Sequence, residues 1–309
     1  MPNNQIPVYP GQSPRLSSHF GVLVREDVAF ANQKGIENSG IRKRTEQALE
    51  KLQEPLRKFL EPDEAVFCIA RAQIMPSGIE QLFLGWHAMF LAPAMLVLTN
   101  RRLLHLLVQR NGSWKGSLRS ANWGDMEEAK IRGLWVGALR IKYRDGRKET
   151  YSRLTHLNTK IIQLLLATLM PAASGETSSA LSMTSLCPEC RSPLTADIYE
   201  CPRCRIAFKD ENTAMKRSWL IPGGGFFYIG HPFLGILHGL VEFTLICVVG
   251  YSLLVGLGIV PPDTSSGEVP TDKASALVSA AIFGGILALD KWVMATVARK
   301  QVRNYIRLS

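Results

Sequence analysis

Charge is almost absent from residues 220–298, although the chain as a whole carries a net charge of +10. Residues 226–260 contain one formally charged side chain, Glu242. A membrane crossing needs about 20 apolar residues, so this stretch is too long for one helix, and the sequence PGGG at 222–225 would interrupt one. The pattern predicts an interfacial or re-entrant segment and two transmembrane helices, at 217–236, 238–260 and 274–297.

The amino-terminal residues lack the apolar core of a secretory signal, because residues 1–18 are polar and rich in proline. The loop at 261–273 contains three acidic residues and one lysine, whereas the residues after the second predicted span are basic. Positive charge favours the cytoplasmic side of a membrane. We therefore expect a multi-pass protein of the inner (plasma) membrane, with its amino terminus and a basic tail at 298–309 both in the cytoplasm.

Motifs that carry catalysis are also missing from the sequence. We find no nucleophile elbow, phosphate-binding loop, kinase motif set or metalloprotease helix. The sequence therefore predicts a protein that is not an enzyme.

Cysteine is scarce, but four of the six cysteines form two C-x2-C pairs. Ten residues separate Cys187 and Cys190 from Cys201 and Cys204. Two such turns can direct four thiolates at one point, which is the ligand set of a tetrahedral structural zinc site, and so short a hairpin needs the metal in order to fold. The pattern predicts a zinc ribbon at 186–210 and resembles the rubredoxin-like kind. Iron, a redox dithiol pair and disulfides are the alternatives.

The rest of the chain divides by composition and periodicity. Residues 1–38 are polar without sustained periodicity, which predicts a flexible segment, and helical spacing of apolar residues predicts an amphipathic helix at 39–60. About seven short strand-like runs and one apolar helix occupy 61–171, and small polar residues at 172–185 predict a linker. The expected fold class is α+β, followed by a C-terminal helical transmembrane hairpin.

Residues 61–171 also resemble a known family. The sequence VLTNRRLL at 97–104, Trp123 before an acidic turn, and LRI at 139–141 before a DG turn are similar to the bacterial pleckstrin-homology-like (PH-like) family. The resemblance implies an antiparallel β-barrel with a C-terminal helix at one end. It implies no particular ligand, because a fold does not determine a function.

An unusually apolar loop interrupts this domain at residues 78–93. Exposed apolar loops contact membranes or partner proteins, and aromatic side chains favour the membrane interface. Trp86 and Phe90 are therefore the predicted contact residues. The alternative is a loop folded over the mouth of the barrel.

Most of the positive charge lies between residues 100 and 160, a stretch that contains fourteen basic and five acidic residues. Such a concentration attracts phosphate, in anionic lipid or in nucleic acid. The alternative is a solvated basic face that keeps the protein soluble. The predicted lipid- or phosphate-binding residues are Arg101, Arg102, Lys142, Arg144, Arg147 and Lys148.

Four of the ionisable residues in or near the predicted membrane segments are candidates for a functional site: His231, His238, Glu242 and Asp290. Burying such groups in a membrane costs free energy, so they often mark a functional site. Here the site could bind a lipid head group, a metal or a proton. A polar clamp between helices is the alternative. The sequence PGGGFFYIG at 222–230, with Asp290, also resembles a widespread family of two-helix membrane domains, which implies architecture and not activity.

These features favour a membrane-anchored binding or scaffold protein whose basic domain recognises anionic lipid or a protein partner. Glycines in the spans would also permit a homo-oligomer. The alternatives are a membrane-tethered nucleic-acid-binding protein and an oligomeric channel or transporter subunit that uses His238, Glu242 and Asp290.

Overall fold

The computed structural model describes residues 8–9, 12–75, 93–133, 137–172, 182–260 and 272–308, together with residues 78, 81, 82, 85 and 91. The chain divides into two compact units. The first, here called the sheet unit, comprises the described residues up to 75 and from 91 to 208, together with 304–308. The second, the helical unit, contains Lys209–Arg303 and the few described residues between 77 and 88.

The sheet unit is built mainly from short antiparallel strands. Its elements in chain order are β1 (Leu16–His19), β2 (Val22–Arg25), α1 (Glu26–Ala29), α2 (Ser39–Phe59), β3 (Val66–Ile74), β4 (Pro93–Thr99), β5 (Arg102–Val108), β6 (Trp114–Asn122), a 3-10 turn (Trp123–Asp125), β7 (Met126–Arg132), β8 (Gly137–Tyr143), β9 (Lys148–Leu154), α3 (His156–Ala172) and β10 (Thr184–Leu186).

The strands form one open sheet in the order β10-β6-β5-β4-β3-β9-β8-β7. The barrel implied by the family resemblance is corrected here, because β7 and β10 do not pair within the described residues. β10 occupies the outer edge of β6, with Leu186 opposite Leu118. The sheet is nevertheless strongly curled, since Arg119 on β6 forms an ion pair with Glu149 on β9, four positions away in the strand order.

Helices cover both faces of the sheet. The side chains of β4 alternate between these faces, so that Leu96 and Leu98 pack with Leu165 of α3, while Val97 packs with Leu52 of α2. Burial of one such side chain contributes about 1.5–3 kcal/mol. The alternation of apolar side chains therefore gives the sheet two apolar faces and two helical layers.

Residues 16–29 form β1, β2 and α1, within the segment 1–38 that the sequence predicts to be flexible. Val24 of β2 pairs with Val66 of β3 in parallel and is fully buried. A buried ion pair between Arg25 and Asp27, at 2.7 Å, fixes the start of α1. The pairing of β2 with β3 joins residues that are distant in the sequence, and local periodicity does not record such pairs.

The helical unit contains α4 (Glu211–Leu220), α5 (Gly224–Tyr228), α6 (Pro232–Gly256) and α7 (Lys273–Val302). α6 and α7 are long and apolar enough to cross a membrane. The turn before α5 requires glycine at position 223, because φ is +67° and a Cβ atom there would lie 1.9 Å from the carbonyl oxygen of Gly235. α5 and the last turn of α4 fall within the segment 217–236 that was predicted as interfacial or re-entrant.

Large apolar side chains of this unit are exposed on the outside of α6 and α7. Leu240, Phe243, Ile246 and Leu254 are examples on α6, and similar residues continue along α7 up to Trp292. Beyond Trp292 the helix becomes largely buried. An exposed apolar surface of this extent is what a lipid-facing helix pair presents.

Candidate metal centre, basic face and membrane polar cluster

Two cysteine turns of the same design bring four thiols together. In the first, Cys187 N–H donates to Ser192 and its carbonyl accepts from Arg191. In the second, Cys201 makes the equivalent bonds with Ile206 and Arg205. Both arginines have positive φ values, 62° and 63°. Each turn closes within six residues, which explains why the spacing alone predicted it.

The four Sγ atoms lie within 4.8 Å of one another, and no disulfide links them. Cys187 and Cys204 are 3.4 Å apart, as are Cys190 and Cys201. A tetrahedral site with Zn–S bonds of about 2.3 Å separates its sulfurs by about 3.8 Å, whereas a disulfide bond is about 2.05 Å. The four cysteines therefore fit a metal ion with a closed set of soft ligands.

The surroundings of the thiols differ, which affects how readily each gives up its proton. Burial opposes ionisation of Cys201, but N–H groups of Cys204 and Arg203 and the Ser192 hydroxyl outweigh it and lower its pKa to about 6. Burial raises the pKa of Cys187 to about 12. A metal must displace the proton from Cys187, so its binding releases protons and weakens as the pH falls.

The carboxyl-terminal residues pack on this ribbon. Tyr305 joins Cys187, Leu194, Cys201 and Phe208 in one small apolar cluster. The ribbon also contacts α2, through an ion pair of 2.9 Å between Lys58 and Glu189, a residue inside the first cysteine turn. The ribbon is therefore part of the sheet unit and not an isolated module.

Two of the predicted phosphate-binding residues have structural contacts instead. Arg102 makes a bidentate pair with buried Glu64, at 2.9 and 2.8 Å, and also donates to the Phe59 carbonyl. Arg101 pairs with Glu61 and Asp63. The LTNRR motif thus closes the β4–β5 turn, and its charges are already balanced by acidic residues.

The other predicted basic residues lie around β8 and β9. Lys142 pairs with Glu127 at 2.6 Å, and Arg147 pairs with Asp145 at 2.5 Å. Arg144 and Lys148 are exposed and have no acidic partner in the part of the chain that the structure describes.

Sequence reasoning missed three further basic residues on the same side of this sheet region. Lys130 and Arg132 on β7 and Arg140 on β8 are exposed, and their strand register places them beside Lys142 and Lys148. We call the outward surface of β7, β8 and β9 the basic face. The signal was present in the sequence as basic residues at every second position, K-x-R at 130–132 and R-x-K at 140–142.

The polar residues of the helical unit form a cluster around Glu242. Its Oε2 atom accepts from Lys291 Nζ at 2.7 Å and from the Gly223 N–H at 2.9 Å. Lys291 also donates to the Ser218 carbonyl at 3.0 Å. The expected partner His238 instead stacks on Phe226, with 5.1 Å between ring centroids.

The remaining two predicted polar residues have different positions. Asp290 is buried, and its Oδ2 atom has no hydrogen-bond partner among the residues described. His231 lies at the first residue before α6. The contribution of Lys291 was missed, although a lysine next to Asp290 in an apolar helix is itself a signal of a paired charge. Trp86 and Phe90 lie outside the described residues.

Comparison of the chain with protein-family models, with curated protein sequences and with solved structures finds no match.

Proposed function

We propose that this chain is a non-enzymatic, membrane-anchored binding protein whose basic face recognises anionic lipid. The domain is of the PH-like type, and the cysteine turns form a rubredoxin-like ribbon that holds a structural zinc ion. The observation that carries the proposal is the arrangement of like charges across neighbouring strands of the basic face.

Two pairs of positive side chains lie directly opposite each other. Lys130 faces Arg140 across β7 and β8, and Lys142 faces Lys148 across β8 and β9. Like charges in such positions destabilise a sheet. Lys130 also pairs with Glu128, and Lys142 pairs with Glu127, so acidic residues offset part of that repulsion. An anionic surface placed against the basic face would offset the rest, and the arrangement therefore supports binding of a negatively charged partner.

The size of the effect follows from the charge count. Six basic side chains lie on or next to the basic face, against Glu127 and Glu128. A Lys or Arg near an anionic membrane contributes about 1 kcal/mol, so a net charge of about four gives about 4 kcal/mol, or about a thousandfold in partitioning. The basic residues are Lys130, Arg132, Arg140, Lys142, Arg144 and Lys148.

Lipid is favoured over nucleic acid for two reasons. Tyr143 and Tyr151, the aromatic residues of β7, β8 and β9, are buried on the opposite side, so the described residues of the basic face include no aromatic ring on which bases could stack. A membrane anchor also keeps the domain near lipid, at a high effective concentration.

The contacts of the C-terminal tail support an anchor with both ends on one side of the membrane. Residues 304–308, which follow α7, pack in the same unit as residues 194–208, which precede α6. A chain that returns to the same folded unit after two spans crosses the membrane an even number of times. The basic residues on both flanks favour a cytoplasmic location for that unit.

The test uses the full chain in nanodiscs of neutral lipid, co-sedimented with larger vesicles. We expect salt-sensitive binding to vesicles that contain anionic lipid and none to neutral vesicles. Arg140→Glu with Lys148→Glu should weaken binding at least about tenfold, since four units of charge change. The matched control is Lys43→Glu with Arg44→Glu, which reverses two exposed charges on α2.

Equal binding to anionic and neutral vesicles would contradict the proposal. So would an equal loss of vesicle binding in the two double variants. Displacement of the protein from anionic vesicles by a small amount of DNA or RNA would instead favour nucleic acid as the partner.

A further inference from the structure

We infer that the cysteine ribbon is a metal-dependent receptor for the chain's own C-terminal residues. The segment concerned is 304–308, here called the tail segment. The inference rests on the proposed metal site but not on lipid binding.

Backbone pairing is the first contact. Arg307 and Phe208 form an antiparallel bridge, and the Leu308 N–H donates to the Ala207 carbonyl at 3.2 Å. The tail segment thus adds a short strand to the second half of the ribbon.

An aromatic anchor provides the second contact. The Tyr305 ring lies 5.5 Å from that of Phe208, edge to face, and 5.9 Å from that of Tyr199. Its hydroxyl donates to the Thr195 carbonyl. Tyr305 is buried together with Leu194, so the tail segment supplies one of the few large side chains in the apolar cluster of the ribbon.

A charge contact connects the tail segment to the cysteine turn itself. Arg307 pairs with Glu189 at 3.2 Å, and the same carboxylate pairs with Lys58 of α2. Glu189 lies between Cys187 and Cys190, so its position depends directly on how that turn is held.

Metal dependence follows from the size of the ribbon. Apart from the cysteines, its buried apolar side chains are few, so the metal supplies much of the free energy that holds the hairpin in its folded form. Loss of the metal therefore unfolds the surface to which Tyr305 and Arg307 bind. Coupling between two binding events is reciprocal, so the docked tail segment must in turn raise the affinity for the metal.

The consequence concerns the chain end that follows α7. With metal bound, the tail segment is fastened to the sheet unit, and without metal it is released. Docking of the tail segment on the ribbon therefore depends on the supply of metal.

Hydrogen exchange of the full-length protein in detergent tests this inference. Zinc content is measured before and after treatment with a chelator. We expect exchange in peptides covering the tail segment to become at least about tenfold faster when zinc is removed, while exchange within α7 stays unchanged. Unchanged protection of the tail segment after verified loss of zinc would overturn the inference and leave the metal site standing.

A second measurement uses the reverse direction of the coupling. Tyr305→Ala should lower zinc affinity by about fivefold or more, measured by competition with a coloured chelator. Leu308→Ala is the matched control, because this side chain is half exposed. Equal zinc affinity in both variants would also overturn the inference. A native protein that binds no metal at all would refute the metal proposal itself.

Discussion

His105 makes the folded state sensitive to acid. It lies on β5, fully buried, with its ring 5.6 Å from that of Tyr151, and neither ring nitrogen has a hydrogen-bond partner in the described part of the chain. Burial, helped by the positive charge of Arg119, lowers its pKa from 6.5 to about 3. The folded protein therefore keeps this imidazole neutral at pH values where the unfolded chain protonates it.

The direction and size of the effect follow from proton linkage. Between about pH 3 and about pH 6.5 the unfolded chain binds more protons at this site, so the free energy of unfolding falls as the pH drops. Lowering the pH from about 7 to about 5 should cost about 2 kcal/mol through His105 alone. His105→Leu should abolish that part, and it should also stabilise the protein near neutral pH, because it removes buried polar atoms without partners.

Urea denaturation of the full-length protein in detergent, followed by tryptophan fluorescence at both pH values, measures the difference. The comparison between variants removes effects that they share, such as loss of metal in acid. His156→Leu is the control, since His156 is exposed at the start of α3. If wild type and His105→Leu lose the same free energy of unfolding between the two pH values, the reasoning is wrong.

Three further predictions concern the ribbon, the helical unit and the β4–β5 turn. Arg205→Gly should stabilise the ribbon by about 1 kcal/mol, seen as slower zinc loss to a chelator, because glycine adopts the observed positive φ without strain. Lys291→Leu should destabilise the helical unit by about 3–5 kcal/mol, because it leaves Glu242 unpaired. The double variant with Glu242→Leu should recover much of this stability, measured by thermal unfolding in detergent. No recovery would contradict the ion-pair assignment. Glu64→Ala should cost about 3 kcal/mol in urea denaturation and Arg101→Ala under about 1 kcal/mol, because the Glu64 side chain is fully buried and Arg101 is exposed.

Features that depend on neighbouring residues were predictable from the sequence. Each cysteine turn is closed by hydrogen bonds within six residues. The C-x2-C spacing of Cys187 with Cys190, and of Cys201 with Cys204, is therefore enough to predict the two turns. Helix α2 and the two apolar helices were predictable for the same reason, since periodicity and hydropathy are local properties.

Features that depend on distant partners were not predictable. Arg102 looked available for phosphate, but its partner Glu64 precedes it by 38 residues. Glu242 looked like a partner of nearby His238, yet it pairs with Lys291 on the other apolar helix. A pattern of charges in one sequence does not record which distant residue neutralises each of them.

The membrane anchor is the central claim, and cysteine accessibility in intact cells tests it most directly. Single substitutions Ser265→Cys, between the two spans, and Ser309→Cys, at the carboxyl terminus, would be treated with a membrane-impermeant maleimide, with the unsubstituted protein as background. We expect labelling of position 265 from outside and labelling of position 309 only after permeabilisation. Labelling of both positions from outside, or of neither, would contradict a two-span anchor with a cytoplasmic tail.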